Sequence, residues 1–270
     1  MTMCIIPLRK EIANMKILTL NINSIRAHIE SFIDILRSGK YDTILVQELK
    51  VENASFPFNV FDEYGYNIKV FGQKSWNGVA VFSKNSIEDV TFGIPNYPDI
   101  NARLLECVID GHIRIINVYM PNGESIESPK FPYKLEWMNA FTQHISQYID
   151  SEEPVIIAGD FNVAIEDRDI WKPSNYIGSS ISAPTARDIM QGWLNAGWVD
   201  TWRTIHPDTN DYTWYGYRGG DTVGKKQGLR LDYFLCNKIA YKNVKDCTID
   251  LSPRMANKPT DHCGLILDID

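Results

Sequence analysis

The stretch Pro154-Val155-Ile156-Ile157-Ala158-Gly159-Asp160-Phe161-Asn162 joins an apolar run to a carboxylate and an amide two residues apart. A short, partly β-branched run bounded by proline reads as a fully buried strand. Period-two alternation aims Asp160 and Asn162 at the same side of its end. Such a pair suits a divalent cation, a water to be deprotonated or a phosphate in transfer. Asp and Asn also end strands as ordinary turn formers, so the weight falls on whether other strands repeat the pattern. Asn21 closes the apolar run that starts at Lys16, Glu48 closes the run from Thr43, and Tyr119 closes the run from Ile113. Asp261 and His262 stand just before a last run, Gly264 to Ile269. If that last strand runs antiparallel to the first ones, these groups meet at one edge of the sheets, held by rigid strand ends.

This inventory of carboxylates, two amides, one histidine and no cysteine suits Mg²⁺ or Mn²⁺ better than zinc. Glu48 and Asp261 are candidate ligands, and Asp160 a candidate proton acceptor from water. His262 donates when protonated, and a carboxylate partner such as Asp232 would raise its pKa. Asn162 and Tyr119 can donate hydrogen bonds to a phosphoryl oxygen. These are the parts of metal-assisted phosphodiester hydrolysis. Singly, Glu48 reads equally as a solvated loop acid, Tyr119 as a packed amphipathic residue and Asp261 as a turn former; their coincidence at strand ends is the argument. The chain has no Gly-rich phosphate loop and no serine in a Gly-x-Ser-x-Gly context, which disfavours nucleotide-dependent transfer and serine hydrolysis.

The elements that must position these groups follow from the pattern. Lys16–Asn21, a helix with Ile25, Ile29, Phe32, Ile33 and Leu36 on one face and a stop at Gly39, and Thr43–Glu48 form strand–helix–strand, a sheet faced by helices. Residues 51–64 read as loop. Tyr66–Phe71 with Gly78–Phe82, and Arg103–Ile109 with Ile113–Tyr119 around Asp110-Gly111, read as hairpins. Hairpins make the sheet mixed. A helix carries Trp137, Ala140, Phe141, Ile145 and Tyr148. Residues 163–183 read as irregular, and Thr185 with Asp188 as a capping box for a helix ending near Gly197. Tyr212–Tyr217 reads as an aromatic strand, residues 218–228 as a basic flexible loop, and Leu229–Leu235 as a strand with an internal Asp232.

The 270 residues are 44% hydrophobic and 23% charged, enough for a sizeable core. No apolar run is long enough to span a membrane. The apolar run in residues 1–14 is too short, and its charges wrongly placed, for a secretory signal; since Met15 starts a much better strand, residues 1–14 read as a disordered leader or an over-called start, and residues 15–270 as one domain. Five scattered cysteines, with no Cys-x-x-Cys, imply a reducing, cytoplasmic compartment and neither zinc nor disulfides. The net charge of −7 argues mildly against nucleic-acid binding by bulk charge, without excluding a local basic rim.

Leu20-Asn21-Ile22-Asn23, Gln47-Glu48-Leu49-Lys50, Tyr119-Met120-Pro121-Asn122-Gly123, Gly159-Asp160-Phe161-Asn162, Leu229-Arg230-Leu231-Asp232 and Thr260-Asp261-His262 together resemble the endonuclease/exonuclease/phosphatase superfamily, most closely its exonuclease III branch of apurinic/apyrimidinic endonucleases. The resemblance covers Met15 to Asp270. It implies a four-layer α/β sandwich, with two mixed β-sheets face to face and helices outside. It implies Mg²⁺-dependent cleavage of double-stranded DNA 5′ to abasic sites, with 3′-phosphodiesterase or 3′→5′ exonuclease activity, by a monomer. It makes Glu48 the metal ligand, with Asn21, Asp160, Asn162, Asp261 and His262 completing the metal site. Asp160 orients or activates water, while Tyr119, Asn162 and the Asp232–His262 pair stabilise the phosphate. Arg103, Asn122 and Arg218 match DNA-contacting positions, and Trp214, Leu229 and Leu231 match an apolar pocket for a flipped-out baseless sugar. The chain departs from the pattern at Asn122, where bacterial members often carry Gln, and residues 167–184 match no motif. Two other readings compete: a DNase I-like or phosphoinositide-type phosphatase, which as a secreted nuclease would show a signal and paired cysteines, and a catalytically dead DNA-binding module, which would have lost Glu48, Asp160 or His262.

Overall fold

The computed structural model describes residues 14–270; the expected leader lies outside them except for Asn14. Chain order is β1 (Met15–Asn21), α1 (Ile29–Arg37), β2 (Thr43–Gln47), α2 (Phe58–Phe61), β3 (Asn67–Phe71), β4 (Val79–Ser83), β5 (Ile87–Phe92), β6 (Leu104–Ile109), β7 (Ile113–Tyr119), α3 (Lys130–Ser146), β8 (Val155–Asp160), α4 (Pro184–Ala196), β9 (Val199–Asp200), α5 (Thr201–Ile205), β10 (Asp232–Cys236), β11 (Val244–Asp250) and β12 (Gly264–Ile269). One six-stranded sheet has the order β11-β12-β1-β2-β4-β3 and the other β5-β6-β7-β8-β10-β9. Each has one parallel pair, β1–β2 and β7–β8, among antiparallel neighbours. Among the described residues, no helix is long and apolar enough to cross a membrane.

The strands read as unbroken apolar runs because both of their faces are covered. On β1, Ile17 enters the core between the sheets, with Leu45, Ile115, Ile156, Phe234 and Leu267. Its neighbours Leu18 and Leu20 face outward onto Phe32 and Leu36 of α1. On the other sheet Ile116, Val118 and Ile157 face outward onto Trp137 and Phe141 of α3 and Met190 and Trp193 of α4. Alternation thus yields helix, sheet, sheet, helix, each fully buried side chain contributing about 1.5–3 kcal/mol.

The inter-sheet face changes character toward one end. In steps of two, β1 runs Ile17, Thr19, Asn21; β7 runs Ile115, Asn117, Tyr119; β8 runs Ile156, Ala158, Asp160. Gln47 Nε2 donates to Asn117 Oδ1 at 2.7 Å and Thr19 Oγ1 at 2.9 Å, a polar layer that closes the apolar core beneath the strand ends. Gly159 is required here: its φ is +140°, and a Cβ would lie 1.9 Å from the Val118 carbonyl oxygen.

Four expectations need correction. Tyr212–Tyr217 is no strand; Trp214 makes isolated bridges to Leu229 and His262. Regular pairing of the Asp232 strand begins at Asp232 itself, because Leu229 pairs off-sheet with Ile170 and Trp214. The Thr185/Asp188 capping box does not form, since α4 starts at Pro184 with no side-chain cap and a proline at the first turn needs no donor partner. Residues 51–64 hold the short helix α2 and two 3₁₀ turns. The sequence reading missed β5, β9 and β11; β9 is two residues long, and β5 and β11 are edge strands with one half-solvated face, where the pattern is weak.

Candidate active site

The strand ends bring the sequence-predicted polar groups together. β12 runs antiparallel to β1, so Asp261 and His262 arrive beside Asn21. β10 runs antiparallel to β8 with Asp232 opposite Asp160. Asn21, fully buried, donates to Glu48 Oε1 at 2.8 Å and to Asp160 Oδ2 at 2.9 Å. Asp160 Oδ1 accepts the backbone N–H of Asn162 at 2.9 Å. Asn162 sits in the left-handed region at φ +51°, where its side chain turns back over the strand end. Its amide donates to the Met120 carbonyl at 3.0 Å and its Oδ1 accepts from Asn122 at 2.9 Å. His262 Nδ1 lies 2.8 Å from Asp232 Oδ2, while its Nε2 faces Asp160 Oδ2 at 3.7 Å.

Asp261 is set slightly apart. Its Oδ1 accepts from Asn23 at 2.9 Å and its Oδ2 from the Trp214 indole at 3.0 Å. Lys50 pairs with Glu48 Oε2 at 2.9 Å and donates to Asn23, so one cation already leans on the Glu48 carboxylate. Arg103 lies over the Tyr119 ring at 5.1 Å and donates to the Tyr119 carbonyl and the Tyr133 hydroxyl. It therefore braces Tyr119, whatever else it touches. Asn122 and Arg218 are exposed, and of the two only Asn122 is tied to the site, through its hydrogen bond to Asn162. Leu229 and Leu231 are buried in a small cluster with Ala164 and Ile170, against which Trp214, Tyr176 and Ile181 pack. They lie beside Asp232, as the alternation required.

Burial sets the protonation states. It pushes the Asp160 carboxyl up to about 7, with His262 opposing and the Asp232 and Glu48 charges assisting. Burial alone would lower His262, but the Asp232 and Asp160 carboxylates outweigh it and raise the imidazole to about 10. Burial, then the Glu48 and Asp160 charges, keeps the Tyr119 phenol protonated well above its ordinary value. Two groups with separated pKa values, one a base when deprotonated and one a donor when protonated, predict a bell-shaped rate profile. Cleavage should rise as Asp160 loses its proton near pH 7, lower where a bound cation stabilises the carboxylate. It should fall as His262 deprotonates toward pH 10. Asp232→Asn removes the largest support of the imidazolium and should move the alkaline limb downward in a pH–rate titration; an unmoved limb would assign it to another group.

One participant escaped the sequence reading. Lys134 is fully buried, and its ammonium donates to the carbonyls of Asn162 at 2.7 Å, Asn122 at 3.1 Å and Ser180 at 3.3 Å. Desolvation pulls its pKa down to about 7. It ties the turn carrying Asn162 to the loop carrying Asn122. The available signal was a lysine three residues from both Phe131 and Trp137, on the apolar stripe of α3.

The donor set fits a hard cation of modest demands. Its carboxylates and amides, with no cysteine among them, are hard donors that suit Mg²⁺ better than zinc. Glu48 is partly open, with 18% of its side chain exposed, and has an amide neighbour. One or two carboxylates with room for water is what Mg²⁺ accepts.

Known proteins resemble this chain in sequence and fold. The endonuclease/exonuclease/phosphatase family pattern matches residues 18–262. Exodeoxyribonuclease III of Haemophilus influenzae is 30% identical over 263 residues, spanning 93% of this chain and 98% of that protein. An AP endonuclease structure from Archaeoglobus fulgidus superposes with a TM-score of 0.91 at 36% identity, covering 95% of this chain and 99% of that one. The 3′ phosphatase NExo from Neisseria, bound to product DNA hairpin, gives 0.90 at 33% identity, covering 95% and 99%. Family pattern, sandwich and convergent strand ends agree: the chain belongs to the endonuclease/exonuclease/phosphatase family, in its exodeoxyribonuclease III and AP endonuclease branch, and is a hydrolytic nuclease of DNA repair.

Proposed function

We propose that the protein hydrolyses the phosphodiester 5′ to abasic sites in double-stranded DNA and trims blocked 3′ ends at the same site, with Mg²⁺ as cofactor and Mn²⁺ as a substitute. The observation that carries this reading is Asp160, held between Asn21, Asn162 and His262 at the convergent strand ends. Asp160 takes a proton from water; the water oxygen bonds to phosphorus, the bond to the 3′ oxygen breaks, and that oxygen takes a proton from solvent to leave as a 3′-hydroxyl. Asn162, Tyr119 and protonated His262 donate to the phosphoryl oxygens, where charge builds in the transition state. Glu48 with Asn21, and Asp261 at the rim, would hold the cation, which when bound neutralises phosphate charge. Arg103 and Arg218 would meet the phosphates of the strand and Asn122 would hydrogen-bond to its backbone, a local contribution on an acidic chain.

Part-exposed Trp214, backed by the buried Leu229 and Leu231, supplies an apolar wall beside Asp232. A wall of that kind accepts a bare deoxyribose and excludes a nucleotide that keeps its base. Four buried free cysteines suit a reducing compartment, and the reading is of a cytoplasmic monomer. The test is a duplex carrying one abasic analogue, incubated with Mg²⁺ beside an intact duplex of the same sequence. Incision at the analogue with a 3′-hydroxyl product is expected; equal cutting of both duplexes would refute the lesion assignment.

A further inference from the structure

The leucines of the abasic wall lie outside the regular sheet, and something other than a strand ladder must fix them. Arg230 stands between them, and alternation sends its side chain away from the wall. Its guanidinium is buried and meets Asp169 in a fork, Nε to Oδ1 at 2.8 Å and Nη2 to Oδ2 at 3.1 Å. Its remaining nitrogen donates to Asp200 Oδ2 at 2.8 Å. Arg203 joins the same Asp169 oxygen at 2.7 Å. Both guanidinium groups lie over the Trp202 ring, and Arg230 also lies over that of Tyr233, at 4.4 Å.

The network closes on residues 169–171, which pair with the leucine segment. Asp169 immediately precedes Ile170, which bridges Leu229. The Arg230 N–H donates to the Asp169 carbonyl at 2.9 Å, and the Trp171 N–H to the Gly228 carbonyl at 3.1 Å. Backbone and side chain of one residue pair thus set the separation of residues 169–171 from residues 228–231. Two arginines and two aspartates balance in charge, so the cluster adds little net stability over an apolar core. A bidentate fork instead dictates distance and angle. Residues 167–184 matched no motif in the sequence, and this staple gives Asp169 a task.

We propose that the Asp169–Arg230 fork, backed by Asp200 and Arg203, is a positioning device that holds the buried Leu229 and Leu231 beneath the part-exposed Trp214, and so fixes the apolar face that discriminates a baseless sugar from an intact nucleotide. The inference rests on the abasic-site reading above. Arg230 touches no substrate and acts through the leucines on either side of it.

Lysine keeps the charge at residue 230 but lacks the fork. In steady-state assays Arg230→Lys should lower the ratio of kcat/KM on an abasic duplex to that on an intact duplex by at least about tenfold. The loss should appear as a higher KM for the abasic duplex, while kcat changes less than threefold. Arg203→Met loosens the same Asp169 from the network's more open side and should lower the ratio by a smaller factor. A melting temperature that falls in both variants while the ratio holds would overturn the proposal, because a merely structural cluster moves stability alone. Failure of both variants to fold would likewise assign the network to stability. An unmodified protein with no abasic preference refutes the functional reading and this proposal with it; a preference that survives Arg230→Lys refutes only the proposal.

Discussion

Asp160→Asn should reduce DNA cleavage by at least about 10²-fold and up to about 10⁴-fold, the range that a general base contributes. The substitution keeps the shape of a side chain that is 1% exposed and removes the charge that accepts water's proton. It also places an amide opposite donors from Asn21, Asn162 and His262, so the polar grip on the strand end weakens. Folding should survive. An acid whose folded pKa is raised costs stability wherever it is ionised, so neutralising Asp160 relieves a penalty at pH 8. The melting temperature there should not fall much, and the circular dichroism should be unchanged. A rate loss under tenfold with intact folding would move the base to another residue.

Removing the cation should have an effect of similar size. Excess EDTA should abolish cleavage, and Mg²⁺ or Mn²⁺ should restore it. Glu48→Ala should raise the Mg²⁺ concentration for half-maximal rate by at least about 10-fold, given that even outer partners of a metal site change affinity 10–100-fold. Glu48 carries this because its carboxylate is part-exposed yet fixed by Asn21. Lys50, released from Glu48, would then add its positive charge near the site and oppose the ion further. Full activity in excess chelator would end the metal hypothesis. An unchanged Mg²⁺ requirement in Glu48→Ala would move the ligand role toward Asp261.

The site residues were legible because strand ends impose them locally. A run such as Val155–Asp160 fixes both its burial and the side to which its last polar residue points, and Asn21, Tyr119 and Asp160 follow it. Glu48 does not: β2 ends at Gln47, which takes the inter-sheet side, and Glu48 reaches the site through a left-handed turn at φ +54°. The aromatic segment 212–217 misled because its pattern fits a strand, whereas its burial comes from packing beside Leu229 and His262 rather than from a ladder. Edge strands β5 and β11 were invisible because a strand that is half solvated and paired on one side needs no strong apolar code.

Short-range periodicity and residue type were enough for the α/β class, the two hairpins and the polar strand ends. Tertiary structure decided what depends on residues far apart in the chain: that β10 and β12 run antiparallel to their partners and bring Asp232 and His262 to Asp160, that Lys134 is a buried clamp under Asn162, and that Asp169 reaches Arg230 across 61 positions. The reason is physical. A buried charge is tolerable only where partners have already been gathered around it, and the cost of gathering them is met by the whole fold and by no local stretch.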